Sequence, residues 1–130
     1  MNQINQCILE GNLVKNPEYK ENIAGTGHSV SKFVLASNKM YKDSKGEIVH
    51  EVSYFDIEAW GNTAKKTLEA KVGQQMRVVG RMKQNRWKDE KGINHSKLFI
   101  VAEHIDLKEQ KIEQAKAAKS TKDEDLGYGR

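Results

Sequence analysis

Tyr54-Phe55-Asp56-Ile57-Glu58-Ala59-Trp60-Gly61-Asn62-Thr63-Ala64 is the stretch on which the fold turns. Phe55, Ile57 and Ala59 fall on one parity, and Tyr54, Asp56, Glu58 and Trp60 on the other. An extended chain points successive side chains to opposite faces, so the first set suits a core and the second an open surface. The strand is predicted over residues 48–60 and stops at Gly61-Asn62. A helix is predicted next, with Asn62 or Thr63 as N-cap. Ala64, Leu68 and Val72 form a narrow apolar stripe at i, i+4 and i+8, and Gly73 is its stop.

Two strands are predicted before this one. Residues 4–14 place Ile4 and Ile8 on one parity and Cys7, Leu9 and Leu13 on the other. Apolar residues on both faces imply cover on both sides: the domain's own core on one, and on the other a place that a second subunit could fill. Asn16-Pro17 breaks the strand. The loop Ala24-Gly25-Thr26-Gly27 has no Gly-Lys-Ser/Thr after it, so it is not a phosphate-binding loop of that type. Residues 28–41 read as the second strand. Beyond the helix, residues 75–86 send Met76, Val78 and Met82 one way and Arg77, Arg81 and Lys83 the other. In residues 96–107, Leu98, Ile100 and Ala102 alternate with Phe99, Val101 and Ile105, which predicts a strand covered on both faces. The sum is a mainly all-β chain. It is a five-stranded antiparallel Greek-key barrel with one short helix between strands three and four, the OB-fold layout. This domain takes residues 1–107. Residues 108–130 are predicted to be a flexible tail, because up to residue 119 Ile112 is the one large apolar side chain.

The chemistry concentrates near residues 81–92. Arg81, Lys83, Asn85 and Trp87 share one parity. Cations around an indole make a poor core and a good surface for a phosphate chain carrying flat bases. Trp87-Lys88-Asp89-Glu90-Lys91-Gly92 also echoes Tyr41-Lys42-Asp43-Ser44-Lys45-Gly46. In both, Asp bonds its own backbone and Gly accepts positive φ, as a tight reversal requires. The same letters also describe two ordinary Lys-rich hairpin turns. Asp56 and Glu58 could in principle serve acid–base chemistry or a hard metal. Solvation or pairing with nearby Lys and Arg is the simpler fate, and no third ligand lies close in sequence. His28, His50, His95 and His104 are scattered, which disfavours a small nuclease. No cofactor, metal or catalytic residue is expected.

The 130 residues make one domain with a tail, and the net charge of +4 favours an acidic partner. Cys7 stands alone, which fits a reducing compartment, and no apolar run is long enough to cross a membrane. The N-terminus lacks a secretory layout. A cytoplasmic, nucleoid-associated location is expected.

With these residues in place, the chain resembles the bacterial-type single-stranded DNA-binding proteins from about residue 2 to residue 107. Four passages carry the resemblance: Ile8-Leu9-Glu10-Gly11-Asn12-Leu13 with Asn16-Pro17; Phe33-Val34-Leu35-Ala36-Ser37-Asn38; Tyr54 to Gly61; and Val79-Gly80-Arg81 leading to Trp87-Lys88-Asp89. Each is weak alone, but their order and spacing are specific. The resemblance implies a homotetramer of OB-folds, or at least a dimer, with single-stranded DNA over the outer faces. It implies base stacking on Tyr41, Tyr54, Trp60 and Trp87, and subunit pairing through the first strand, with Ile4, Cys7, Ile8 and Leu9. Lys42, Lys45, Arg77, Arg81, Lys83, Arg86 and Lys88 would track phosphates. Stacking on an aromatic ring is worth about 1–3 kcal/mol per base, a magnitude known from this very class of protein. The implied roles are replication, recombination and repair; a primosome or recombination accessory would use the same chemistry. A cold-shock-like RNA binder is usually shorter and gathers its aromatics on two neighbouring strands. The family's tail usually ends in acids followed by an apolar tip with Pro and Phe. Here Asp123, Glu124 and Asp125 precede Leu126, Tyr128 and Arg130. That departure puts docking of replication and repair proteins through the tail in doubt.

Overall fold

The computed structural model describes residues 2–21 and 23–108. Its strands are β1 (Cys7–Leu13), β2 (Glu18–Lys20), β3 (Val30–Lys42), β4 (Ile48–Trp60), β5 (Gln75–Lys88) and β6 (Asn94–Leu107), with α1 (Gly61–Lys66) between β4 and β5. The sheet order is β1-β5-β6-β4-β3-β2, and a further β1–β3 pairing closes five of the strands into a barrel. The β4–β6 seam is parallel, through Ile57↔Ile100 and Glu58↔Val101; the other seams are antiparallel. The expected OB-fold layout is the one found, with β2 as an added three-residue strand beside β3. A strand that short shows no alternation in the sequence.

The core is lined by inward residues of every barrel strand, among them Leu13, Phe33, Leu35, Ile57, Met76, Val78 and Ile100. β4 has the predicted boundaries and the predicted inward set. β6 does not have two covered faces. Val79 faces His104 and Gly80 faces Ala102, so Glu103 is an extra residue that bulges from the ladder. Such a bulge switches the inward parity, which is why Ile100, Ala102 and Ile105 all reach one core. Leu98 shares the parity of Ile100 but is exposed, because it pairs with Gln84 on the arm beyond the barrel. The strands approach closely at this point. A Cβ on Gly80 would lie 2.0 Å from the Val101 carbonyl oxygen, so only glycine fits.

The helix departs from its prediction. Its N-cap is Trp60, without a side-chain cap, and after Lys66 the chain tightens into a 3₁₀ turn over Thr67–Glu69. Three residues per turn place Ala64, Thr67 and Ala70 inward, while Leu68 and Val72 are exposed. The small inward side chains let the helix sit close across the barrel end. The Thr67 hydroxyl donates to the Ala64 carbonyl at 2.7 Å and accepts from Ser31 Oγ at 2.7 Å, so this buried pair is satisfied. The segment up to Gly73 is held by the end of β1 and the turn after it rather than by a longer helix. Val72 N–H donates to Asn16 Oδ1, and Gly73 N–H to the Leu13 carbonyl.

β1 is also shorter than predicted. It begins at Cys7, and Asn5 instead uses its side-chain amide to bond both the N–H and the C=O of Met82. Past the Ile57↔Ile100 rung, β3–β4 and β5–β6 continue as two long hairpin arms, paired out to Lys42↔Ile48 and Lys88↔Asn94. β4 and β6 run parallel, so both tips project from the same end of the barrel.

Candidate nucleic-acid interface

The two echoed turns fold alike. Asp43 Oδ1 accepts from the N–H groups of Lys45 and Glu47, each at 2.9 Å. Asp89 Oδ1 accepts from Lys91 and Ile93, again at 2.9 Å each. Gly46 and Gly92 sit at φ 80° and 79°, where a side chain would be strained. Each tip thereby fixes the register of its arm, and the register decides which side chains meet.

Outward on β4 lie Tyr54, Asp56, Glu58 and Trp60, beside Lys32 and Val34 of β3. Outward on β5 lie Arg81, Lys83, Asn85 and Trp87, opposite Val101, Phe99, Lys97 and His95 of β6. The Glu58↔Val101 pair joins these two sets into one surface. Tyr54, Trp60 and Trp87 keep 63%, 44% and 46% of their surface exposed. Between the arms runs an open groove of about 300 Å³, whose walls include Lys32, Asp56, Glu58, Asn85, Lys97 and Phe99.

The two acids on this face are offset. Lys97 Nζ lies 3.5 Å from Asp56 Oδ2, an ion pair across the groove, and Lys32 Nζ lies 3.9 Å from Glu58 Oε2. Glu58 Oε1 also accepts from the Trp60 indole N–H at 2.9 Å, which orients that ring. On the second arm, the Trp87 and His95 rings stack with centroids 5.5 Å apart and planes at 19°. His95 Nε2 lies 2.8 Å from Asp89 Oδ2. The bond from His95 and those from the turn amides hold the Asp89 carboxyl below its ordinary value.

The remaining sequence candidates distribute as follows. Lys42 shares the outward register with Tyr54, and Lys45 lies at the tip. Tyr41, paired with Val49, is exposed but has the parity of the core-facing residues of β3. Arg86 and Lys88 likewise lie on the opposite face of their arm from Trp87. Arg77 is bound to Glu10, with both Nε and Nη2 at 2.8 Å from Oε2, next to β1. Arg81 lies 3.8 Å from the bulged Glu103. Ile4, ahead of β1, and Ile8 within it are 96% and 69% exposed, whereas Cys7 and Leu9 pack against the core. Lys32, Lys97, His95 and Phe99 were not among the interface residues expected from the sequence. The last three could have been found by counting back from the Asp89 turn, which sets Trp87 opposite His95. The acidic end of the tail lies outside the described residues. No group of three His, Cys, Asp or Glu able to hold a metal occurs among the described residues, and no helix there is long and apolar enough to cross a membrane.

Residues 4–108 match the model of the single-strand binding protein family. A single-stranded DNA-binding protein of Aquifex aeolicus is 33% identical over 105 residues, covering 80% of this chain and 69% of that one. One of Treponema pallidum is 33% identical over 108 residues, covering 82% of this chain and 59% of its own length. Among solved structures, a Plasmodium falciparum SSB complex with ssDNA superposes with a TM-score of 0.73 over 84% of this chain and 98% of that chain; at 17% identity it speaks for the fold. By the extent of the family match and the identity to these relatives, the chain belongs to the single-strand binding protein family.

Proposed function

We propose that this protein binds single-stranded DNA without reading its sequence, and so protects it during replication, recombination and repair. One observation carries the reading: Tyr54, Trp60 and Trp87 lie exposed on one continuous outward face, flanked by Arg81, Lys83, Lys32 and Lys97. Every base has a π-face, so rings hold a strand whatever its sequence, while cations follow the phosphates. Tyr41, Lys42, Lys45, Arg86 and Lys88 would extend the contact around the arms, and Arg77 would join after exchanging Glu10 for phosphate. The role is binding, not catalysis. In competition, unlabelled oligonucleotides of different sequence should displace a labelled dT strand at similar concentrations, and duplex DNA should not. Strong preference for one sequence would overturn the proposal, as would cleavage of the strand with Mg²⁺ or Mn²⁺.

Self-association is part of the proposal. Ile4, just ahead of β1, and Ile8 on its outer face are exposed apolar side chains, and a second copy would cover them, as a dimer or a homotetramer. Native mass should show a multimer that Ile8→Asp weakens. A monomer at every concentration would refute this. Recruitment of repair proteins through the tail is not part of the proposal. The expected division at residue 107 and the nucleoid location are proposed on the sequence alone, and the tail expected beyond that division lies, past residue 108, outside the described residues.

A further inference from the structure

The two arms have the same turn but not the same rings beside it. On the first, Tyr41 faces Val49, and Asp43 uses Oδ1 on the turn. On the second, Trp87 faces His95, and Asp89 uses one oxygen on the turn and the other on His95. Turn, carboxylate, imidazole and indole thus form one connected chain. We infer that His95 is a positioning residue for DNA: its ring backs one face of Trp87 and holds the other open for a base.

This rests on the proposed single-strand binding and deepens it. An exposed Trp on a two-stranded arm is otherwise free to change rotamer, and a base that stacks on it must first freeze it. Covering one indole face by a ring fixed to the turn removes much of that cost before the strand arrives. The arrangement also limits Trp87 to one base, because the second π-face is occupied by the imidazole. No equivalent backing contact supports Tyr41 among the described residues. The freezing cost of one such side chain corresponds to about a three- to tenfold change in affinity.

The test is a double-mutant cycle on the full chain, read by anisotropy of a labelled dT oligonucleotide at fixed salt, with native mass as a check on assembly. Trp87→Ala alone tests whether the ring meets DNA; no loss there would remove Trp87 from the binding face, whatever His95 does. Given that loss, His95→Ala should weaken binding about three- to tenfold at unchanged mass. It should cause no further loss in the Trp87→Ala background, since a positioning residue acts only through the ring it positions. His95→Phe, which keeps a flat ring without the Asp89 bond, should bind more tightly than His95→Ala. Wild-type binding by His95→Ala, additive losses in the double variant, or His95→Phe no better than His95→Ala would each overturn the inference.

Discussion

Asp56→Asn removes one carboxylate from the outward face and should change how binding responds to salt. Lys97 Nζ now lies 3.5 Å from Asp56 Oδ2, with the two side chains 56% and 48% exposed. An ion pair this open contributes about 0–1 kcal/mol to folding, so the melting temperature should barely move. The effect falls on DNA. Each phosphate neutralised on a single strand contributes about 0.7 to the slope of log K against log salt. Lys97, freed from Asp56, supplies one more such contact, so the slope should steepen by about 0.7. Between about 50 and about 200 mM salt the variant should therefore lose about 2.5-fold more affinity than the unmodified chain. Its affinity at the low-salt end should be higher. Anisotropy of a labelled dT strand across that salt range reads both quantities. A slope equal to or flatter than that of the unmodified chain would refute the idea that Lys97 lies within reach of bound phosphates.

Two other outcomes are expected. Leu35, fully buried in the barrel, should cost about 2–5 kcal/mol when replaced by Ala, measured as a lower urea midpoint at unchanged m-value; a loss under half the lower figure would mean the site collapses or is not core. The Asp89 carboxyl is held below its ordinary 3.8, so its contribution to the second tip is fully present above that value and is lost as pH falls through the lower, folded value. The side-chain carboxyl carbon resonance of Asp89 should titrate with a midpoint below 3.8; a carboxyl midpoint at or above that value would contradict this.

The sequence reading succeeded where one local rule acted alone. β4 alternates cleanly, so its ends, its inward set and its outward Tyr54 and Trp60 could all be read in advance. The Asp and Gly of the two turns also announced themselves. The helix failed because its inward residues, Ala64, Thr67 and Ala70, are small or polar and spaced by three, while the large residues Leu68 and Val72 stay outside. β6 misled because the bulge at Glu103 exchanges its faces, and nothing local marks that residue as extra. The site was half visible. Its rings stood out by type, but Lys32 and Lys97 become candidates only through their cross-strand neighbours Glu58 and Asp56. Tyr41, Arg86 and Lys88 matched by type yet lie on the other parity of their arms.

The central claim is that exposed indoles meet bases while neighbouring cations meet phosphates, and one titration tests both halves. Tryptophan emission is followed as oligo-dT is added at several salt concentrations. The account predicts strong quenching from Trp60 and Trp87, saturating at a fixed ratio, with a binding constant that falls steeply and linearly on a log–log plot as salt rises. Emission that does not change on addition of DNA, or quenching whose midpoint ignores salt, would contradict it.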